Sequence, residues 1–155
     1  MKYATIPILA LAATLGPGQL ACGGAASQVE VKGSDSDVVG LAGAWKGEYV
    51  GVDSGRKGEI VFNLTAGHYT AEGEVLMHPD NAPNKTRPLK IRFVEVDGGG
   101  TLRGTMEPYT DPQCQCSMIA EFVGQRQGDR IEGKFTASEV GSERSQTGRW
   151  WAERQ

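Results

Sequence analysis

Four five-residue segments share one spacing: Trp45-x-Gly47-x-Tyr49, Ala71-x-Gly73-x-Val75, Leu102-x-Gly104-x-Met106 and Ile131-x-Gly133-x-Phe135. In an extended chain, side chains alternate between two faces, so each glycine shares a face with its two apolar neighbours. The other face carries Lys46 and Glu48, Glu72 and Glu74, Arg103 and Thr105, Glu132 and Lys134. Such a chain calls for a sheet that is apolar on one side and charged on the other. The last three copies recur at intervals of 31 and 29 residues, about one hairpin each.

Beyond Gly40 no helical periodicity persists, while alternation continues between glycine-rich turns, as in Ile60, Phe62 and Leu64 or Leu89, Ile91 and Phe93. The pattern predicts eight strands, near 43–50, 58–65, 70–77, 89–96, 101–107, 117–125, 130–137 and 147–154. Their links alternate in length. Those through Ala66-Gly67-His68, Asp97 to Gly100 and Arg126 to Asp129 are short, and the other four are longer and richer in Pro, Asp and Ser. In an up-and-down meander all links of one parity lie at one end, so one end is tight and the other carries four larger loops. Eight strands with a single apolar face can close on themselves, which removes exposed edges. The expectation is an all-β, eight-stranded antiparallel up-and-down barrel over residues 43–155. Glycines inside its strands permit sharp coiling, or else leave room for a ligand.

Composition narrows the function. Of 155 residues 39% are hydrophobic and the net charge is −3, which argues against wholesale disorder. A pI near 5.4 supplies no cationic field for nucleic acid. The 22 glycines have no period of three, excluding collagen. Charged outward faces and short strands exclude a membrane-spanning barrel.

Met1, Lys2 and Tyr3 precede an apolar run from Ala4 to Leu15, which reaches only about 18 Å as a helix, too short for a bilayer core. Gly16, Pro17 and Gly18 then break it. Residues 1–21 read as a secretory signal peptide. Gln19-Leu20-Ala21-Cys22-Gly23 resembles a bacterial lipobox, with the leucine one place nearer the cysteine than usual. The resemblance implies a lipidated Cys22 and, from Gly23, the outer membrane, facing the periplasm. Ordinary secretion, with cleavage after Ala26, is the other reading. Residues 22–42 are expected to be the lipidated N-terminus and a flexible tether, small and polar from Gly23 to Gly40. Within it, Asp35-Ser36-Asp37 imitates a calcium loop, but Val39 and Lys46 stand at liganding places. The tether would enter at the closed end, so the open end would face away from the membrane.

Gly43-Ala44-Trp45 on the first strand and Arg154 at the end of the last resemble the lipocalin and avidin-like group of small barrels, over Gly43 to Arg154. The resemblance implies that Trp45 plugs the closed end with Arg154 packed across it, and that the barrel holds a small, often hydrophobic ligand. The chain lacks a clear Thr-Asp-Tyr-like segment and a helix after the barrel.

Candidate chemistry gathers at the open end. Cys114 and Cys116 fit a small, readily reduced disulfide ring, or a soft-metal site with His78 and Met77 or Met118 nearby, or unpaired thiols. His68 falls at the opposite end. Trp150 points inward, as core or as a platform for a ligand, with Tyr109, Asp111 and Met77 at the mouth. No Gly-x-Ser-x-Gly elbow, phosphate-cradling loop or paired-carboxylate site occurs. The sequence therefore points to a non-enzymatic envelope protein, without a cofactor, that binds a small apolar molecule. The alternatives are a filled barrel that meets an envelope protein, and a soft-metal binder through Cys114 and Cys116.

Overall fold

The computed structural model describes residues 27–65, 68–78 and 86–155. The elements are β1 (Gln28–Lys32), α1 (Asp35–Leu41), β2 (Gly43–Gly51), β3 (Lys57–Leu64), β4 (Thr70–Met77) and β5 (Arg87–Val96), then β6 (Thr101–Met106), β7 (Tyr109–Thr110), β8 (Ser117–Gln127), β9 (Arg130–Glu139) and β10 (Ser145–Arg154). The eight strands expected from alternation are β2 to β6 and β8 to β10. Neighbours in sequence pair antiparallel, β6 pairs with β8, and β10 pairs back onto β2 from Gly148↔Gly51 to Arg154↔Trp45.

The wall nevertheless has nine strands and is mixed, which corrects the expectation of eight antiparallel ones. β4 and β5 pair directly only toward the open end, at Glu74–Met77 and Arg87–Lys90. Toward the closed end they splay, and β1 fills the wedge. Gln28 to Glu30 run antiparallel to Thr70 to Glu72, and Glu30 to Lys32 run parallel to Phe93 to Glu95. An unfilled wedge would leave two rows of backbone N–H and C=O groups without partners, and β1 supplies them.

The tether expected over residues 22–42 is therefore ordered from Gln28 onward. Val29 and Val31 alternate with Gln28, Glu30 and Lys32 and are buried inside. α1 follows, with the Ser34 hydroxyl capping it by accepting from Asp37 N–H at 3.3 Å, and its Val38 and Leu41 buried at the closed end. The orientation argument changes with it. β1 runs toward the closed end, so the chain enters along the flank of the barrel and not at that end.

Inside, a second regularity accounts for the glycines. Tyr49, Phe62, Phe122, Phe135 and Trp150 each stand directly opposite a glycine on the neighbouring strand: Gly58, Gly73, Gly104, Gly148 and Gly133 in turn. The ring lies over its glycine. A Cβ on Gly73 would sit 2.9 Å from Phe62 Cδ2, one on Gly133 would sit 2.5 Å from Trp150 Nε1, and the other three would be closer still. The glycines thus make room for aromatic side chains laid against the wall. Tyr49 meets Phe135 and Phe122 meets Trp150 edge to face, both with centroids 5.7 Å apart.

Candidate functional site

At the closed end, Trp45 is buried and donates its indole N–H to the Leu41 carbonyl at 2.8 Å. The Arg154 guanidinium stacks on the Trp45 ring at 4.4 Å, and it donates to the carbonyls of Gly40, at 2.9 Å, and Ala42. Its Nε reaches Asp129 at 2.8 Å. Gly43 adopts φ +118°, and a Cβ there would crowd the same guanidinium. Gly43, Trp45 and Arg154 therefore form one closure, sealed below by α1. Cys22 lies outside the described residues.

Above this seal lies a chamber of about 110 Å³, lined by inward side chains that include Phe62, Ile91, Phe122, Phe135 and Trp150. Its wall is almost wholly apolar. A void this size is somewhat below the roughly 150 Å³ of an apolar cavity that admits benzene, and well below the roughly 300–1,000 Å³ of drug-sized sites. Trp150 is buried, its ring on the chamber and its N–H shared between the carbonyls of Val123 and Lys134, each at 3.2 Å.

A buried ion pair spans the open end. Arg56, from the β2–β3 loop, meets Asp111, from the loop between β7 and β8, with Nη1 to Oδ2 at 2.6 Å. Only 5% of Arg56 and 1% of Asp111 is exposed, so water does little to screen the pair. Nη2 of Arg56 also donates to Gln113 Oε1 at 3.2 Å, and Asp111 Oδ1 accepts from Gln113 N–H at 2.7 Å. Burial pushes the Asp111 carboxyl up, but the Arg56 hydrogen bond, the backbone N–H groups of Gln113 and Cys114 and the Arg56 charge outweigh it. The carboxyl is held below the usual carboxylate range. Tyr109, half-buried beside the pair, is raised by burial and by the Asp111 charge, with Arg56 opposing. Met77 is buried under the latch, its sulfur 3.8 Å from Arg56 Nη1. Trp150, Tyr109 and Met77 all line the chamber.

Cys114 and Cys116 are joined by a disulfide, with Cα atoms 5.1 Å apart. Sulfurs bonded in this way have no thiolate to give a metal. His78 lies beside Glu59, with Nε2 3.9 Å from Oε1, and no group of three or more metal-ligating side chains occurs among the described residues. His68 is exposed on the β3–β4 link. Arg56 was not foreseen, because its partner is 55 residues away and a lone arginine after Gly55 looks like an ordinary turn residue.

Fold and site together define a closed β-barrel with an aromatic-lined interior, a small apolar chamber and an ion-pair latch over its mouth. No protein-family model, curated protein or solved structure matches the chain.

Proposed function

We propose that this protein is a non-enzymatic binding module that takes one small apolar molecule, no larger than a single ring or a short chain, into the chamber beneath the Arg56–Asp111 latch. The observation that carries the reading is the chamber itself, about 110 Å³ of almost entirely apolar void on the axis of a closed barrel. An apolar void stays dry, so an apolar occupant gains dispersion contacts that water cannot supply. Polar or lipid-sized ligands fit it poorly. The calycin-type likeness, carried by Gly43, Trp45 and Arg154, belongs to the same proposal.

The proposal extends to the anchor. Lipidation of Cys22 after removal of residues 1–21 would place the protein on a bacterial envelope membrane, the outer one if the Gly23 signal holds. Only four residues separate Cys22 from Ser27, so the five steps between them reach at most about 18 Å of extended chain. The β1 flank would then lie near the bilayer and the mouth to one side.

Native mass spectrometry of protein from its own host, with titration of Trp150 fluorescence by single-ring aromatics, tests the binding reading. A retained small molecule, or saturable quenching, is the expected result. Neither appearing, with the barrel folded, refutes it. The second reading, a filled barrel that meets an envelope protein, is favoured by the five rings laid over glycines and by Val52 and Val140, exposed on loops at the mouth.

A further inference from the structure

We propose that the Cys114–Cys116 disulfide is a thiol–disulfide exchange site on the rim of the barrel, reduced reversibly by an external dithiol while the barrel stays folded. Four observations converge on it. Cys114 is exposed, so an incoming thiolate can reach its sulfur. Cys116 is half-buried, with its sulfur 3.7 Å from Met118 Sδ, which leaves Cys114 as the sulfur attacked and Cys116 as the leaving group. The bond joins residues two apart, so it constrains the unfolded chain far less than a long-range staple would. Between them, Gln115 sits at φ +56°, the only non-glycine residue with positive φ among those described. That left-handed conformation is unfavourable for a residue with a Cβ, and opening the ring removes one of the constraints that hold it.

The rest of the turn does not depend on the sulfurs. Asp111 N–H donates to the Cys116 carbonyl at 3.0 Å, and Gln115 N–H donates to the Asp111 carbonyl at 2.9 Å. The Asp111 carboxylate accepts from Gln113 N–H while it holds Arg56. Reduction therefore leaves the loop attached to the barrel and frees only the Cys114–Cys116 segment.

In the reaction, one thiolate of the dithiol attacks Cys114 Sγ and the S–S bond breaks. Its electron pair leaves on Cys116 Sγ, which takes up a proton. The second thiolate of the dithiol then attacks its own sulfur in the mixed disulfide and expels Cys114 Sγ, which is protonated in turn. Two electrons and two protons reach the protein as the dithiol becomes a disulfide.

The full chain is equilibrated in mixtures of reduced and oxidised dithiothreitol, free thiols are alkylated, and Cys114 and Cys116 are read by peptide mass, with far-UV circular dichroism on the same samples. The expected result is reversible reduction at these two residues with the β-sheet signal unchanged. Gln115→Gly, which accepts the left-handed conformation, should shift the equilibrium toward the disulfide by about 2- to 10-fold, after allowing for the freedom glycine gains in the open loop. Gln115→Asn should shift it the same way by less. Reduction only when the sheet signal is lost, free thiols in protein prepared without reductant, or no shift in either variant would overturn the proposal.

Discussion

Phe62 lying over Gly73 allows the interior packing to be tested by a pair of substitutions. A Cβ placed on Gly73 meets Phe62 Cδ2 at 2.9 Å, with its next neighbours, Val61 O and Ile91 Cδ1, at 3.2 and 3.5 Å. The ring is thus the main obstacle. Relieving it needs a shift of roughly half an ångström in a packed interior, an overpacking cost of about 1–3 kcal/mol. Alanine regains about 0.5–1 kcal/mol over glycine within a strand, so Gly73→Ala should destabilise by about 1–2 kcal/mol. Phe62→Ala should cost about 3 kcal/mol, the low end for a phenylalanine, because part of its ring already faces the chamber. In the Phe62→Ala background the ring is gone and only the 3.2 Å approach to the Val61 carbonyl remains, so the cost of Gly73→Ala should fall to near zero. The double-mutant cycle in urea then gives a coupling of about 1–2 kcal/mol. An equal cost for Gly73→Ala in both backgrounds would refute the claim that the glycine exists to seat the ring.

Asp111→Asn should cost about 1–3 kcal/mol at neutral pH by taking the charge out of the buried 2.6 Å contact with Arg56, measured by urea denaturation. Because the folded-state carboxyl is depressed, the wild-type advantage is present above the unfolded pKa of about 3.9. It should shrink as pH falls through the lower folded value, and an advantage that persists in strong acid would contradict the assignment. Arg154→Lys keeps the charge but loses the planar stack on Trp45 and the forked contact with the Gly40 and Ala42 carbonyls, and should lower stability by about 1–3 kcal/mol in the same assay. Removing residues 22–32 should open the seam between β4 and β5, lowering the melting temperature and exposing apolar surface to a fluorescent dye. A flexible tether could be removed with no change in melting.

The barrel was legible because its signal is local. Alternation at Trp45-x-Gly47-x-Tyr49 and its three relatives fixes which face is inside, and link lengths fix which end is tight. The Trp45–Arg154 contact was accessible for the same reason, once the first and last strands were taken as neighbours. β1 was missed although Gln28 to Lys32 alternates cleanly, because five residues amid serine and glycine resemble tether and nothing local reveals a wedge between β4 and β5. α1 was missed because seven residues carry too few turns for periodicity, although Ser34 and the buried pair Val38 and Leu41 suit a short capped helix. The glycines showed their face but not their purpose, since the rings they seat stand on neighbouring strands. Arg56–Asp111 left no trace, because ion pairing across 55 residues has no sequence period.

The central claim, an apolar chamber able to hold a small molecule within a closed nine-stranded wall, is tested most directly by crystals of the protein pressurised with xenon. The account predicts anomalous density on the barrel axis, bounded by Phe62, Phe122, Phe135 and Trp150, with the strands unmoved. An interior without xenon, its side chains packed across the axis, would contradict it.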